Sequence, residues 1–328
     1  SRKTVMLSPG DAVFYRFHPT FGFWGIPDME REVFFKQRRD APILVRHNGE
    51  GNRDRPFVKG RMENGILCIG GSHTWAVGVD QDSRYSEHLE RLTGRTVLNI
   101  GHCSLGLDQI TLVILKMADH YRPAVIVVEQ YPWAIHRVLS PYVIGYTRPY
   151  FYLDGAGNLK LQKLPYLSRF SLCRRIQGAY YDYRIELREY KAGIQIKEGY
   201  NPWTDPIFLY WKISYYDYLY ALVDKIVGVM QDFCRQKGIR LLFGLGAVMQ
   251  QFGGKHLSAL IDYDLPRRRL VSVLEKNRVA FVDMKTPMLG SHTPEGPVIF
   301  DDGHMNAKGH RIFAEELHRD MVRRGWLQ

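Results

Sequence analysis

From residue 65 onward the chain alternates between short apolar runs and amphipathic stretches, and this alternation constrains the fold more than any other feature. ILCIGG at 66–71 is an apolar run that closes on two glycines, the pattern of a strand buried on both faces. SRYSEHLERL follows with helical spacing, then TVLNI as a second strand and DQITLVILKMADHY as a second amphipathic helix. AVIVVEQ, introduced by Pro123, is a third strand. RLLFGLG and VAFVDM supply a fourth and a fifth, and AKGHRIFAEELHRDMVRR ends the chain as an amphipathic helix. Strands that alternate with helices in this way form a parallel sheet with helices on both faces, so the expected class is a three-layer α/β fold.

Other segments depart from that beat. Residues 1–60 carry Gly, Pro and aromatic punctuation, as in HPTFGFWGIPDM and HNGEGNRDRP. They are expected to be an irregular N-terminal extension that packs over the core, with residues 61–328 forming the α/β domain. RPYFYLDGAGNLKLQKLP alternates on both sides of a turn at Asp154–Asn158 and predicts a hairpin. That hairpin and the Tyr- and Arg-rich stretch after it make residues 140–205 an insertion into the α/β frame. A long helix is expected over 207–236, and LSALIDYDLPRRRLVSVLEKN reads as a helix interrupted by Pro266.

Composition narrows the function classes. The chain has 328 residues, 45% of them hydrophobic and 24% charged, which excludes disorder and a collagen-like fibre. The four cysteines form no CxxC pair, so neither a zinc site nor a disulfide framework is signalled. No run approaches the roughly 18 apolar residues of a membrane span. The formal charge of +11 fits an anionic partner, either a glycan or a membrane surface. PRRRL is the sole basic cluster of note and no nucleic-acid motif accompanies it, so a nucleic-acid partner is not expected. GLGAVMQQFGGK has Met249 where a dinucleotide fingerprint needs its third glycine. The first residue is Ser1, not Met, and an exported or membrane-tethered bacterial product is the expectation.

Three blocks able to do chemistry lie where parallel strands end, the edge at which open α/β sheets bind ligands. In CIGGSHTWAVGVD, Gly70 and Gly71 allow a tight turn that presents the Ser72 hydroxyl at the sheet edge. Ser72 there suits a nucleophile, and equally an N-cap. In FDDGHMNAKGH, Asp301 lies three residues before His304, a spacing at which a carboxylate folds back onto imidazole Nδ1; Asp302 competes at shorter spacing. Asn306 is the better candidate to cap the last helix. A serine, an acid and a histidine in this order supply nucleophile, orienting group and base. In VLNIGHCSLGLDQ, backbone N–H groups between Gly101 and Gly106 face the same edge and suit an oxyanion. His73, Trp75 and Trp133 flank these blocks and are candidate substrate-binding residues; the two tryptophans serve equally as a sugar-stacking wall or as packing.

These blocks, in this order, resemble those of the SGNH (GDSL-type) hydrolases. GGSHTWAVGVD resembles the GDS block, with Ser72 as nucleophile and Gly71 in place of the aspartate that braces the turn. Asn99 and Gly101 resemble the second block, whose last glycine falls on Ser104. Asp301 and His304 match the Asp-x-x-His block. The HPTFGFWG and HNGEGNRDR stretches and the hairpin are similar to a bacterial branch with these additions. The resemblance implies a flavodoxin-like fold and an oxyanion hole formed by the N–H groups of Ser72 and Ser104. It also implies a third-block asparagine, which is missing, so Gln130 or Tyr131 is the candidate side-chain donor. The implied function is a serine esterase that removes an O-acyl (O-acetyl) group from a carbohydrate or related ester without cofactor or metal. An O-acyltransferase with the same triad and a non-catalytic glycan-binding module are the alternatives.

Overall fold

A computed structural model describes residues 13–57, 62, 64–177, 179–180, 213–247, 252 and 264–327. The chain opens with two antiparallel hairpins, β1 (Tyr15–His18) with β2 (Gly22–Gly25) and β3 (Glu30–Phe35) with β4 (Arg38–Arg46). The sheet region then runs β5 (Ile66–Gly70), α1 (Ser72–Trp75), α2 (Tyr85–Thr93), β6 (Val97–Gly101), α3 (Leu107–Tyr121) and β7 (Val125–Gln130). A 3₁₀ segment, Pro132–Leu139, leads into β8 (Tyr142–Val143), β9 (Tyr146–Thr147), β10 (Tyr150–Leu153) and β11 (Leu159–Gln162). The chain continues through α4 (Ile213–Gln236), β12 (Arg240–Leu245), α5 (Leu265–Lys276), β13 (Ala280–Asp283), α6 (Lys285–Ser291) and α7 (Ala307–Arg323).

The five expected strands form one parallel sheet in the order β13-β12-β7-β5-β6. Successive strand residues point to opposite faces, so a run buried on both sides must be apolar throughout. Leu67, Ile69, Leu98, Ile100, Ile126 and Val128 enter one core with residues of α3, α4 and α5. Ile66, Cys68, Val97, Val125 and Val127 enter the other, against α2, α6 and α7. Three layers result. The chain leaves β5 toward β6 on one side and later returns to β7 on the other, which puts the sheet's switch point, where ligands bind, between β5 and β7.

One region departs from the sequence expectation. Residues 13–57 are not irregular, because β1–β4 lie within them; REVFFKQRRDAPILVR alternates only partly, with exposed residues running together at Glu30–Glu32 and at Arg39–Asp40. Phe14, Phe23, Val33, Phe35 and Ile43 of this extension belong to the same core as Ile100 and Leu107. Pro266 stands in the first turn of α5, where its missing N–H has no intrahelical partner to lose, and the part of that expected helix before Asp264 lies outside the described residues. The hairpin of β10 and β11 turns at Asp154–Asn158, where the Asp154 carboxylate accepts from the N–H groups of Ala156 and Asn158. The beginning of the helix expected over 207–236, the stretch 257–263, most of GLGAVMQQFGGK after Ala247 and residues 181–205 lie outside the described residues. No described helix is long and apolar enough to cross a membrane.

Candidate active site

Ser72 is the first residue of α1, immediately beyond β5, and is half-buried. Glycine is required just before it by close approach. A Cβ on Gly70 would collide with the Thr74 hydroxyl and come within 2.7 Å of the Glu129 carboxylate. A Cβ on Gly101, across at the end of β6, would run into the backbone of Thr74 and Trp75. The turn is tied down by buried polar groups. Glu129, at the end of β7, accepts from the Gly71 N–H at 3.1 Å and from the Thr74 hydroxyl at 3.3 Å. Asn99 donates to the Thr74 carbonyl at 2.8 Å and accepts from the Gly101 N–H at 2.9 Å. Fully buried Arg53 donates to the carbonyls of Trp75, Ala76 and Val79, closing the far end of α1. Asp54 accepts from the Asn99 N–H at 2.7 Å and pairs with Arg84. The N-terminal extension therefore braces this turn directly.

His304 approaches from the loop between β13 and α7. Its Nε2 lies 2.8 Å from Ser72 Oγ. Its Nδ1 lies 2.9 Å from an oxygen of Asp302, not of Asp301. The other Asp302 oxygen accepts from the His304 N–H at 3.2 Å. The reason is local. Gly303 has φ 87°, a left-handed conformation that reverses the chain between Asp302 and His304, and an Asx-type turn then brings the carboxylate onto the residue two positions on. Asp301 is exposed and makes no hydrogen bond or ion pair with a described residue. The expected Asp301–His304 pair is thus replaced by Asp302–His304. Burial works to raise the Asp302 carboxyl, but the hydrogen bond and charge of His304, with its backbone N–H and the amide of Gln37, bring it down to about 2. An ionised Asp302 accepts the Nδ1 proton, which leaves Nε2 as the acceptor for the Ser72 hydroxyl. Asn306 caps α7 by accepting from the Gly309 N–H at 3.0 Å, so the histidine loop carries no capping duty.

The remaining candidates divide. His73 accepts from the Met305 N–H at 3.4 Å and its ring lies 5.1 Å from that of His304 and 5.5 Å from that of Tyr131. Burial and the neighbouring His304 push its pKa well below the ordinary value. Ser104 is the half-exposed residue of the second-block loop and holds φ 65° without being glycine. The N–H groups of Gly101, His102 and Cys103 are all taken, by Asn99, Gly70 and Tyr15. Those of Ser72 and Ser104 have no hydrogen-bond acceptor among the described residues. Trp75 is not a substrate wall. It is fully buried, with the Arg53 guanidinium 4.6 Å over its ring and Phe14 beside it, because it faces inward from the end of α1. Trp133 is buried as well, packed into the 3₁₀ segment. The Gln130 side chain is buried, and its amide donates to the Tyr131 carbonyl at 2.8 Å, which removes it as an oxyanion donor. The Tyr131 ring stays at the rim beside His73.

Sequence reasoning missed Glu129 and Arg137. A lone carboxylate at the end of VIVVEQ, an otherwise apolar strand, is the signal that marks Glu129. Burial raises its pKa, while the Gly71 N–H and Thr74 act in the opposite direction. It provides from β7 the brace that the first block lacks at Gly71. Among the described residues no group of three or more His, Cys, Asp or Glu could hold a metal ion.

No protein-family model matches the chain, and no curated protein matches it. Several solved structures are similar to it. TesA is 12% identical, with 79% of this chain and 98% of that one covered and a TM-score of 0.43. A catalytic mutant of an acetylxylan esterase from Geobacillus stearothermophilus is 12% identical, with 80% and 96% covered and a TM-score of 0.44. A member of the lipolytic protein G-D-S-L family from Veillonella parvula is 12% identical, with 80% and 100% covered and a TM-score of 0.42. The last carries the family description that the sequence blocks resemble. At such identity and TM-score the case for function rests on the site itself.

Proposed function

We propose that this protein is a serine ester hydrolase of the SGNH type, with Ser72 as nucleophile, His304 as general base and acid, and Asp302 as the group that orients His304. The observation that supports this reading is the continuous chain from Ser72 Oγ to His304 Nε2 at 2.8 Å and from His304 Nδ1 to Asp302 at 2.9 Å. Both contacts lie within hydrogen-bond reach, the distance at which a nucleophile is activated by its base.

The reaction follows from that geometry. Ser72 Oγ attacks the ester carbonyl carbon and its proton passes to His304 Nε2. The imidazolium that forms is stabilised by ionised Asp302. The carbonyl electrons move onto oxygen, where the N–H groups of Ser72 and Ser104 donate to the oxyanion. The tetrahedral intermediate collapses, the carbon–alkoxy bond breaks and the alcohol leaves with the proton from His304. Water then attacks the acyl-enzyme through the same base, and Ser72 regains its proton as the acid departs. The sequence resemblance implies an O-acyl carbohydrate, with O-acetyl as the acyl group, as the substrate class.

The test is turnover of p-nitrophenyl acetate by the wild type and by Ser72→Ala. Loss of turnover to the uncatalysed background is expected, by about 10⁶-fold if the triad acts as a unit. Unchanged turnover in the variant overturns the assignment.

A further inference from the structure

We infer that Arg137 is a catalytic residue of this site, the charged side-chain donor to the oxyanion; this rests on the ester-hydrolase reading above. Hydrolysis through Ser72 needs donors aimed at the oxygen on which charge develops. Two backbone N–H groups are free to serve, those of Ser72 and Ser104, while Gly71 N–H is taken by Glu129 and the Gln130 amide by Tyr131. Arg137 supplies what these leave out. Its Nη1 lies 3.8 Å from the point that a Cβ on Gly71 would occupy, so the guanidinium stands over the turn that carries the nucleophile. A Glu129 oxygen lies 3.9 Å from that same point. Glu129, Cys103 and Tyr131 are among the groups that act on Arg137 electrostatically, and these belong to the ends of the β7 strand and the second-block loop. The guanidinium therefore lies near the turn that carries Ser72, the end of β7 and the second-block loop.

Two further observations make it a donor waiting for an acceptor. Arg137 is half-buried, yet its guanidinium makes no hydrogen bond and no ion pair with any described residue, Glu129 included. Its backbone is held firmly. The Arg137 carbonyl accepts from Arg148, which is fully buried, pairs with Asp108 at 2.6 Å and also donates to the Ser140 carbonyl. A partly desolvated cation fixed by its backbone, which Glu129 reaches only through space and not by a hydrogen bond, carries a cost that an anionic oxygen within hydrogen-bond reach offsets. A guanidinium presents several N–H donors in one plane and stays charged across the working pH range.

The experiment compares the wild type with Arg137→Ala and Arg137→Lys on the neutral ester p-nitrophenyl acetate, with added guanidinium chloride as the rescue arm. Removal of one oxyanion donor is expected to lower kcat by about 10²–10³ with KM little changed, since the contact forms only in the transition state. Lysine is expected to restore part of the rate, and millimolar guanidinium part of the rate of the alanine variant. Phosphonylation of Ser72 by a fluorophosphonate, whose P=O oxygen takes the same place, is expected to slow in parallel. Unchanged kcat on the neutral ester overturns the inference. So does a variant defective only in KM for a negatively charged ester, which makes Arg137 a substrate-binding cation. A loss of kcat that guanidinium does not rescue, together with a lowered Tm, assigns it a structural role and also overturns the inference. A wild type inert to both ester and probe defeats the ester-hydrolase reading itself, whereas an active wild type confines failure to Arg137.

Discussion

The two halves of the site meet at 2.8 Å but are held by different means. The Ser72 turn is fixed from below by buried groups: Glu129 from β7, Asn99 from β6, and Arg53 and Asp54 from the N-terminal extension. The histidine loop is fixed at the surface. Asp302 keeps 39% of its side chain exposed, and its partners are His304 and Gln37 at the turn of the β3–β4 hairpin. The difference teaches where each kind of damage should register. Loss of a buried brace leaves unsatisfied polar groups and costs folding stability. Loss of a partner on the exposed side costs little stability, because solvent replaces it, and registers in the reaction instead.

The largest effect should fall on the exposed side. Asp302→Asn leaves the loop geometry in place but favours the wrong imidazole tautomer, and a loss of about 10⁴ in kcat with Tm nearly unchanged is expected. Asp301→Asn should stay within a few-fold of the wild type. Steady-state kinetics on one ester decides between the two carboxylates, and the reverse ranking would restore the three-residue spacing.

The buried side should show in acid. Burial, which outweighs the hydrogen bond that His47 Nδ1 donates to the Ile26 carbonyl, takes His47 down to about 4; burial also takes His310 and His136 down to about 3. The unfolded chain binds a proton at each of these near pH 6.5 while the folded chain does not, so the unfolded state gains protons first as pH falls. Stability should therefore decline from about pH 6.5 toward the folded values, by about 1.4 kcal/mol per pH unit for each histidine. Urea midpoints between pH 7 and 4.5 measure it. His47→Gln should flatten the slope, and an unchanged slope would remove His47 from the account.

The smallest effect sharpens the comparison. Glu129→Ala orphans the Gly71 N–H and a lowering of stability by about 1–3 kcal/mol is expected. Denaturant unfolding at pH 7 tests it, and a variant as stable as the wild type would show that the Ser72 turn does not depend on β7.

What the sequence disclosed follows the same division. The five sheet strands and the helices α2, α3 and α7 were legible because burial on two faces forces continuous apolar runs and burial on one face forces helical spacing. Ser72 was legible because its block ends a strand, and His304 because its block opens the last helix. The acid was not: Asp301 and Asp302 are adjacent, and the left-handed φ of Gly303 selects between them without any trace in residue type. The hairpins β1–β4 escaped notice because their inward residues complete a core formed largely by other elements. Trp75 illustrates the converse. An aromatic residue three positions from a nucleophile looks like a substrate wall, yet one helical turn carries it to the inward side of α1. Arg137 lies eight residues beyond the end of β7's Glu129, and only the path of the 3₁₀ segment returns it to the site.

The central claim, that Ser72 is a nucleophile activated by His304, is tested most directly by mapping the adduct of a fluorophosphonate probe by peptide mass spectrometry. One adduct on Ser72, formed far more slowly in His304→Ala and absent in Ser72→Ala, is the predicted result. An adduct on another residue, or an unlabelled Ser72 in a protein that hydrolyses esters, would contradict it.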